Sequence, residues 1–182
     1  MPRDRRAVPY TEFSLTDIHP TDIISDGFRV SELVRSDIAT RRGIVNWFES
    51  DSHLQAAIYL TREILTPLRD KFGPFSPTSV YRTNALERVL KGKPSRWVSK
   101  SQHTRGEAAD IEIPGIPNRA LAEYIKEQME FDQLILECYD PAVPNSGWVH
   151  VSMVDGGEYR HEALSYVLED SVWVYRPGLL PA

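Results

Sequence analysis

A histidine and an aspartate stand seven positions apart in the segment SKSQHTRGEAADIEI, residues 99–113. The imidazole of His103 and the carboxylate of Asp110 are both side chains that bind zinc. Small residues separate them, and Gly106 can adopt the positive φ of a tight turn that other residues resist. The segment is therefore either a polar turn or half of a metal site. A metal site requires a further ligand elsewhere in the chain.

The best candidate for that ligand is His150, in the strand-like run WVHVSM at residues 148–153. Alternate side chains of a strand share a face, so His150 lies on the polar side of this run. If this strand neighbours the one bearing Asp110, both side chains converge, and the preceding loop brings in His103. Two imidazoles and one carboxylate form a catalytic zinc set that leaves the fourth tetrahedral position for water. We therefore predict one Zn²⁺ per chain on His103, Asp110 and His150.

A second carboxylate lies in the run DQLILE, residues 132–137. Glu137 shares one face of this run with Gln133 and Ile135, opposite the aliphatic side. If the strands are neighbours, Glu137 points to the same side as the ligands and can act as a base. The alternatives are that Glu137 is a solvated strand end, or that Asp140 in the following loop is the functional carboxylate.

Length and composition are those of an ordinary globular protein. The chain has 182 residues, 41% hydrophobic and 26% charged, with a net charge of -5. This balance gives no general electrostatic attraction to nucleic acid or to an anionic membrane, so we expect neither as a partner. The single cysteine, Cys138, excludes an internal disulfide and a zinc site made of several thiolates.

Three helices are predicted from apolar periodicity. The longest covers residues 52–72, ends at Gly73, and is kinked or split by Pro67. A shorter helix over 84–91 directs Leu86, Val89 and Leu90 inward and is closed by Gly92. Another over 118–129 is capped by Asn118 and buries Leu121, Ile125 and Met129. A helix of at most a few residues fits 28–37, with a capping signal at Ser31.

Strands are predicted mainly in the second half of the chain. Their ranges are 77–82, 108–113, 132–137, 148–153 and 171–175. Helices come first and most strands come later, which favours an α+β fold with an antiparallel sheet. The loop between DQLILE and WVHVSM is too short for a crossover helix, so these two strands are antiparallel neighbours.

The first 27 residues lack strong periodicity and are interpreted as an extended segment before a single domain over 28–182. The basic N-terminus is not followed by an apolar run, which argues against a secretory signal. No stretch approaches the roughly 20 apolar residues of a membrane span. We therefore expect synthesis in the cytoplasm without membrane insertion. The oligomeric state is left open.

Two motifs resemble those of the D-alanyl-D-alanine metallopeptidases. SQHTRGEAAD, residues 101–110, matches the pattern S-x-H-x-x-G-x-A-x-D, and Trp148-Val149-His150 matches W-x-H. The resemblance extends over roughly residues 26–155. The Tyr81-Arg82 turn and the D-Q-L-I-x-E strand are similar to those of the phage endolysin branch.

The resemblance implies a hedgehog/DD-peptidase-like fold, with a central antiparallel sheet, helices on one side and the zinc site in a cleft on the sheet. It also implies that His103, Asp110 and His150 are the zinc ligands. Arg82 then orients a substrate carbonyl or carboxylate, although an exposed arginine is often only an ion-pair partner.

Two further residues are candidates for substrate binding. Ser101 can hydrogen-bond the substrate backbone, although a serine before a turn more often bonds its own local amides. Trp148 shares the face of His150, so it either lines the cleft or packs as a strand aromatic.

One position departs from the family pattern. Many relatives carry Glu or Asp three residues before the last histidine, where this chain has Gly147. The resemblance to branches with the D-Q-L-I-x-E strand implies that this strand supplies the carboxylate, which points to Glu137 as the base.

The resemblance implies a zinc peptidase that hydrolyses peptidoglycan stem peptides, as a DD-carboxypeptidase or an L-alanyl-D-glutamate-type endopeptidase. The expected setting is a phage or prophage lytic enzyme that reaches the cell wall after release or within a virion. Two alternatives are a non-catalytic virion or wall-binding module that keeps the fold, and a zinc peptidase for peptides from outside the wall.

Overall fold

The computed structural model describes residues 2–143 and 145–181, and within them the chain has an α+β architecture. The α-helices are α1 (Val30–Leu33), α2 (Asp37–Arg42), α3 (Asp51–Leu60), α4 (Thr66–Phe72), α5 (Asn84–Leu90) and α6 (Asn118–Gln128). The strands are β1 (Ile23–Ser25), β2 (Phe28–Arg29), β3 (Ala108–Ile111), β4 (Gln133–Glu137), β5 (Trp148–Ser152), β6 (Glu162–Glu169) and β7 (Val172–Pro177).

The long helix predicted over 52–72 is split, as the position of Pro67 indicated. A π-helical turn, Thr61–Leu65, separates α3 from α4, and the Thr66 N–H donates to the Thr61 carbonyl five residues back. Proline has no N–H and is tolerated in the first turn of a helix, which is where Pro67 lies. The predicted C-terminal stop at Gly73 is confirmed.

The predicted contacts of α5 are partly wrong. Leu86 is fully buried, but Val89 and Leu90 are 44% and 38% exposed. The charged Glu87 lies inward instead, with no exposed surface. Apolar spacing alone missed this because Glu87 has cationic and hydroxyl partners from outside the helix.

Two predicted helix caps are also wrong. Ser31 lies inside α1, whose N-cap is Arg29. Asn118 is the first residue of α6 and does not cap it; its side-chain amide donates to the carbonyls of Ser146 and Gly147. Asn118 therefore stabilises the β4–β5 connection from outside.

Four of the five predicted strands form, as β3, β4, β5 and β7. Residues 77–82 form no strand. Their backbone makes isolated hydrogen bonds to other parts of the chain, for example from the Tyr81 N–H to the Leu33 carbonyl oxygen. The long strand β6 was not predicted.

The main sheet has the strand order β3-β5-β4-β6-β7. β4 and β5 pair antiparallel as predicted, and β6 and β7 form a second antiparallel pair. The predicted all-antiparallel sheet is wrong, because β4 and β6 are parallel. β5 brings the chain back to the end of the sheet at which β4 begins. A strand that pairs with the other edge of β4 after a short loop therefore runs in the same direction as β4.

The chain divides into two compact units, residues 1–109 and 110–182, with the boundary inside β3. In the first unit, α3 and the helical turns after it are packed through Leu54, Ile58 and Leu65, all fully buried. In the second unit, α6 packs against β4 and β5, and its Leu121 and Ile125 are fully buried. Within the described residues, no helix combines the length and apolar character needed to cross a membrane.

Candidate metal centre

The first predicted ligand, His103, lies on a short 3₁₀ turn, Gln102–Arg105, and is 1% exposed. Gly106 ends this turn with φ 78°, as the sequence predicted, and its N–H donates back to Gln102 and His103. A Cβ at Gly106 would lie 2.3 Å from the His53 carbonyl oxygen. The turn therefore needs glycine both for its backbone conformation and for its close approach to α3.

The hydrogen bond of His103 determines which ring nitrogen is available to a metal. Its Nδ1 lies 2.7 Å from the carbonyl oxygen of Val80. A carbonyl only accepts, so Nδ1 carries the proton and Nε2 keeps its lone pair. Metal-binding histidines commonly donate their other N–H to a carbonyl in this way, which fixes the tautomer and the ring orientation.

The other two predicted ligands meet within the main sheet. Asp110 of β3 and His150 of β5 are 7% and 8% exposed, and Oδ1 of the carboxylate lies 3.0 Å from Nδ1 of the imidazole. Two ligands of one tetrahedral zinc ion are about 3.3 Å apart, given metal–ligand distances near 2 Å. The two atoms are thus spaced as neighbouring ligands of one ion.

All three predicted ligands belong to one group. One ligand atom from each of His103, Asp110 and His150 lies within 4.8 Å of the other two, and all three residues are buried. Two imidazoles and one carboxylate are a donor set for catalytic zinc, which typically has three protein ligands and an open position. The residues present therefore fit zinc in chemistry, and their ligand atoms are close enough together to share one ion.

Glu137 lies on the same face of the sheet as His150. The register pairs Glu137 with Trp148 and Ile135 with His150, so Glu137 and His150 are diagonal neighbours. Diagonal neighbours lie about 7–8 Å apart, within reach of long side chains. Glu137 is nevertheless not a member of the group His103, Asp110 and His150, whose ligand atoms lie within 4.8 Å of one another.

Gly147 cannot be replaced by a carboxylate in this backbone. Its φ is 62°, and a Cβ would lie 1.7 Å from the carbonyl oxygen of Glu137. Asp140, the alternative carboxylate, is exposed and accepts a hydrogen bond from the Ala142 N–H within its own loop. Of the carboxylates considered as the base, local geometry therefore favours Glu137, which lies on the face of His150.

The backbone of Arg82 is hydrogen-bonded to the first predicted ligand, His103. Its N–H donates to the His103 carbonyl oxygen at 3.1 Å. Its side chain, 20% exposed, has Nε 3.1 Å from Oε1 of the buried Glu87. Arg82 is therefore ion-paired with a buried carboxylate, and the pair fixes the base of the guanidinium close to the turn of His103.

Glu87 is a residue that sequence reasoning missed. Lys91 Nζ lies 3.0 Å from its Oε2, and the Ser99 hydroxyl donates to the same oxygen at 3.0 Å. Burial raises the pKa of Glu87, but Arg82, Lys91 and Ser99 together outweigh it and hold that pKa below its ordinary value. An acidic residue inside the apolar pattern of α5 was the available signal.

The two candidate substrate-binding residues are placed less decisively. Ser101 precedes the 3₁₀ turn, and its carbonyl, not its hydroxyl, accepts from the N–H and the hydroxyl of Thr104. Trp148 is half-buried on the sheet face that carries His150, directly opposite Glu137.

A model of the peptidase M15 family matches residues 26–152, more than half of the chain. No curated protein and no solved structure matches the chain. The chain belongs to the peptidase M15 family. Membership supports a metallopeptidase that binds zinc, and the family suggests a peptidoglycan-type peptide substrate.

Proposed function

We propose that the protein is a zinc-dependent peptidase that cleaves peptide bonds in peptidoglycan stem peptides. The observation that carries this proposal is the convergence of ligand atoms from His103, Asp110 and His150 to within 4.8 Å in a member of the peptidase M15 family. Bound at these residues, zinc supplies a Lewis acid that polarises a carbonyl and lowers the pKa of water.

In this proposal Glu137 moves the proton. It lies beside the ligand set without belonging to it, so it can accept a proton from the attacking water and deliver it to the leaving amine. Trp148, opposite Glu137, packs against the substrate next to the bond that is cut. Its aromatic ring supplies apolar contact area there.

Arg82 binds the substrate in this proposal. A guanidinium is always charged and donates in a planar fork, which suits a peptide carboxylate or a carbonyl oxygen that gains negative charge. Glu87 fixes the Nε end of the fork. The Ser101 hydroxyl serves as a hydrogen-bond partner for the substrate backbone.

The test is hydrolysis of purified peptidoglycan by zinc-loaded protein, followed as newly released amino groups. Removing a general base typically costs 10²–10⁴-fold, so we expect Glu137→Gln to lose at least about 100-fold in kcat while it still binds zinc. Asp140→Asn is the matched control, and we expect it to keep activity. Full activity in Glu137→Gln would assign the proton transfer to another group.

Bond specificity and biological setting belong to the same proposal. Cleavage is either of a terminal D-alanine or of an L-alanyl-D-glutamate bond, and mass spectrometry of the products distinguishes the two. We further propose a lytic role in a phage or prophage, acting on the wall after release or from the virion. Lysis of walls by added protein tests this role.

A second candidate function is a wall-binding or virion module without turnover. Gly147 favours it, because the backbone there excludes the carboxylate that many relatives carry at this position. This candidate predicts zinc and peptidoglycan binding without release of amino groups by the unmodified protein. Zinc stoichiometry in the unmodified protein, with His103→Ala and His150→Ala as controls, shows whether the ion binds at the proposed ligands in either case.

A further inference from the structure

Three aromatic side chains form a stack on the β6–β7 hairpin, here called the aromatic surface: Tyr166, Trp173 and Tyr175. The centroid of the Tyr166 ring lies 4.4 Å from that of Tyr175, with 30° between the ring planes. It lies 5.3 Å from the centroid of the Trp173 ring, with 25° between the planes. Trp173 and Tyr175 are 42% and 54% exposed. Tyr166 is thus the middle ring of a near-parallel stack whose outer rings are open to solvent.

The aromatic surface lies on the same sheet face as His150 and Glu137. β4 pairs Ile135 with His150 on one side and with Leu164 on the other. Paired residues share a face and faces alternate along a strand, so Tyr166 follows Leu164 on that face.

The aromatic surface is also close to Glu137, because β4 pairs Leu136 with Ser165 and the next residues along these parallel strands are Glu137 and Tyr166. Burial, and after it the Glu137 carboxylate, raises the pKa of Tyr175 to about 12, so Tyr175 stays a neutral hydrogen-bonding group at any physiological pH. The surface is thus continuous with the proposed catalytic face, on residues beyond the 26–152 family match.

The chemistry of this surface suits a sugar. Tyrosine and tryptophan combine apolar ring faces with a polar edge. A pyranose ring has the complementary arrangement, with C–H groups on its faces and hydroxyl groups around its rim. An aliphatic protein partner would leave the Tyr166 and Tyr175 hydroxyls and the Trp173 N–H without a matching group.

We propose that the aromatic surface binds a sugar ring of the peptidoglycan glycan strand while the attached stem peptide lies at the zinc ligands. This inference rests on the proposed function, because that function supplies a substrate in which sugars and peptide are joined. Residues 162–177 then select glycan-linked substrate over free peptide.

The first experiment measures sugar binding without catalysis. Metal-free protein is titrated with the β-1,4-linked tetramer of N-acetylglucosamine by calorimetry. We expect Trp173→Ala to weaken binding about tenfold or more, the loss expected for an exposed anchoring aromatic, and Trp173→Phe to weaken it less. Val172→Ala is the matched control, since Val172 is its chain neighbour, is 60% exposed and points to the opposite face. Wild-type protein that does not bind the tetramer overturns the inference.

The second experiment compares two substrates. With intact peptidoglycan, we expect Trp173→Ala to raise KM about tenfold with kcat unchanged. With a free stem peptide, both constants should match those of the wild type. Equal effects on both substrates, or a changed oligomeric state of Trp173→Ala in light scattering, would contradict glycan binding.

The two proposals fail differently. Peptide cleavage without tetramer binding removes the sugar site and keeps the peptidase. Tetramer binding that depends on Trp173, without any cleavage, keeps the sugar site and removes the peptidase.

Discussion

At the residue scale, the buried carboxylate of Glu87 is the least expected feature of the chain. A charge without solvent contact is costly unless it is paired, and Glu87 is paired with Arg82, Lys91 and Ser99. Removing one member of such a set leaves the others unsatisfied, which costs more than the set contributes in net stability. Glu87 therefore controls both the local stability and the position of Arg82.

We expect Glu87→Gln to lower the free energy of unfolding at pH 7 by about 2–4 kcal/mol, because the two cations lose their counter-charge. Denaturant unfolding measures this. The control is Glu123→Gln in α6, which breaks a more exposed pair with Arg119 and should cost less than about 1 kcal/mol. Equal losses in the two variants would show that the Glu87 cluster is no stronger than a surface ion pair.

The loss of unfolding free energy in Glu87→Gln depends on pH in a defined direction. The folded-state pKa of Glu87 lies below its ordinary value of 4.5, so the unfolded chain binds the proton more tightly. The stabilisation from ionised Glu87 is therefore complete when the pH is above the ordinary pKa of the group, and it is lost as the pH falls through the folded-state pKa. Unfolding curves of wild type and Glu87→Gln should accordingly converge in acid, and a constant difference down to pH 3 would contradict this assignment.

At the element scale, the 3₁₀ turn of His103 is positioned by its packing on α3. Gly106 approaches His53 and Ala57 so closely that no side chain fits between the turn and the helix. On the other side, the Val80 carbonyl accepts a hydrogen bond from the His103 imidazole, and the Arg82 N–H donates one to the His103 carbonyl. The ligand is thus positioned by backbone contacts, which side-chain changes nearby alter little.

We expect Gly106→Ala to cost about 2–4 kcal/mol in unfolding free energy and to weaken zinc binding, since the turn must move away from α3. Gly115→Ala separates the two causes. Gly115 has a similar φ of 82° but nothing within 4 Å of an added Cβ, so it should show only the backbone cost of about 1–2 kcal/mol. A Gly106→Ala variant no worse than Gly115→Ala would exclude the packing effect.

At the scale of the whole molecule, the proposed ligands combine a turn and the strand that follows it with a second strand, whose His150 is 40 residues from Asp110. An ion bound by all three is bound only by the folded chain, so it stabilises that state by mass action. A free metal concentration 1,000 times Kd contributes about 4 kcal/mol. For a chain of this size, that corresponds to a rise in Tm on the order of 10 °C.

We therefore expect zinc to raise Tm by that amount and a chelator to reverse the change, as measured by calorimetry. His150→Ala retains Asp110 and His103 but lacks the third ligand, and it should show a much smaller rise. An equal rise in His150→Ala would place the bound zinc elsewhere in the chain.

The sequence by itself determined those features that depend on local chain geometry. The turn at Gly106, the split at Pro67, the faces of β4 and β5, and the antiparallel pairing of these strands all follow from residues close together in the chain. The motif spacing likewise identified His103, Asp110 and His150 as one group, because the family pattern records which distant residues meet.

Only the tertiary structure decided the features that depend on partners far along the chain. β6 lies parallel beside β4, and Glu87 turns inward towards Arg82 and Ser99. Hydrophobic periodicity records how apolar a face is, but not which distant group satisfies a buried charge or which strand edge the chain returns to. The pairing of β6 and the burial of Glu87 are determined by long-range contacts, which form only when the whole chain has folded.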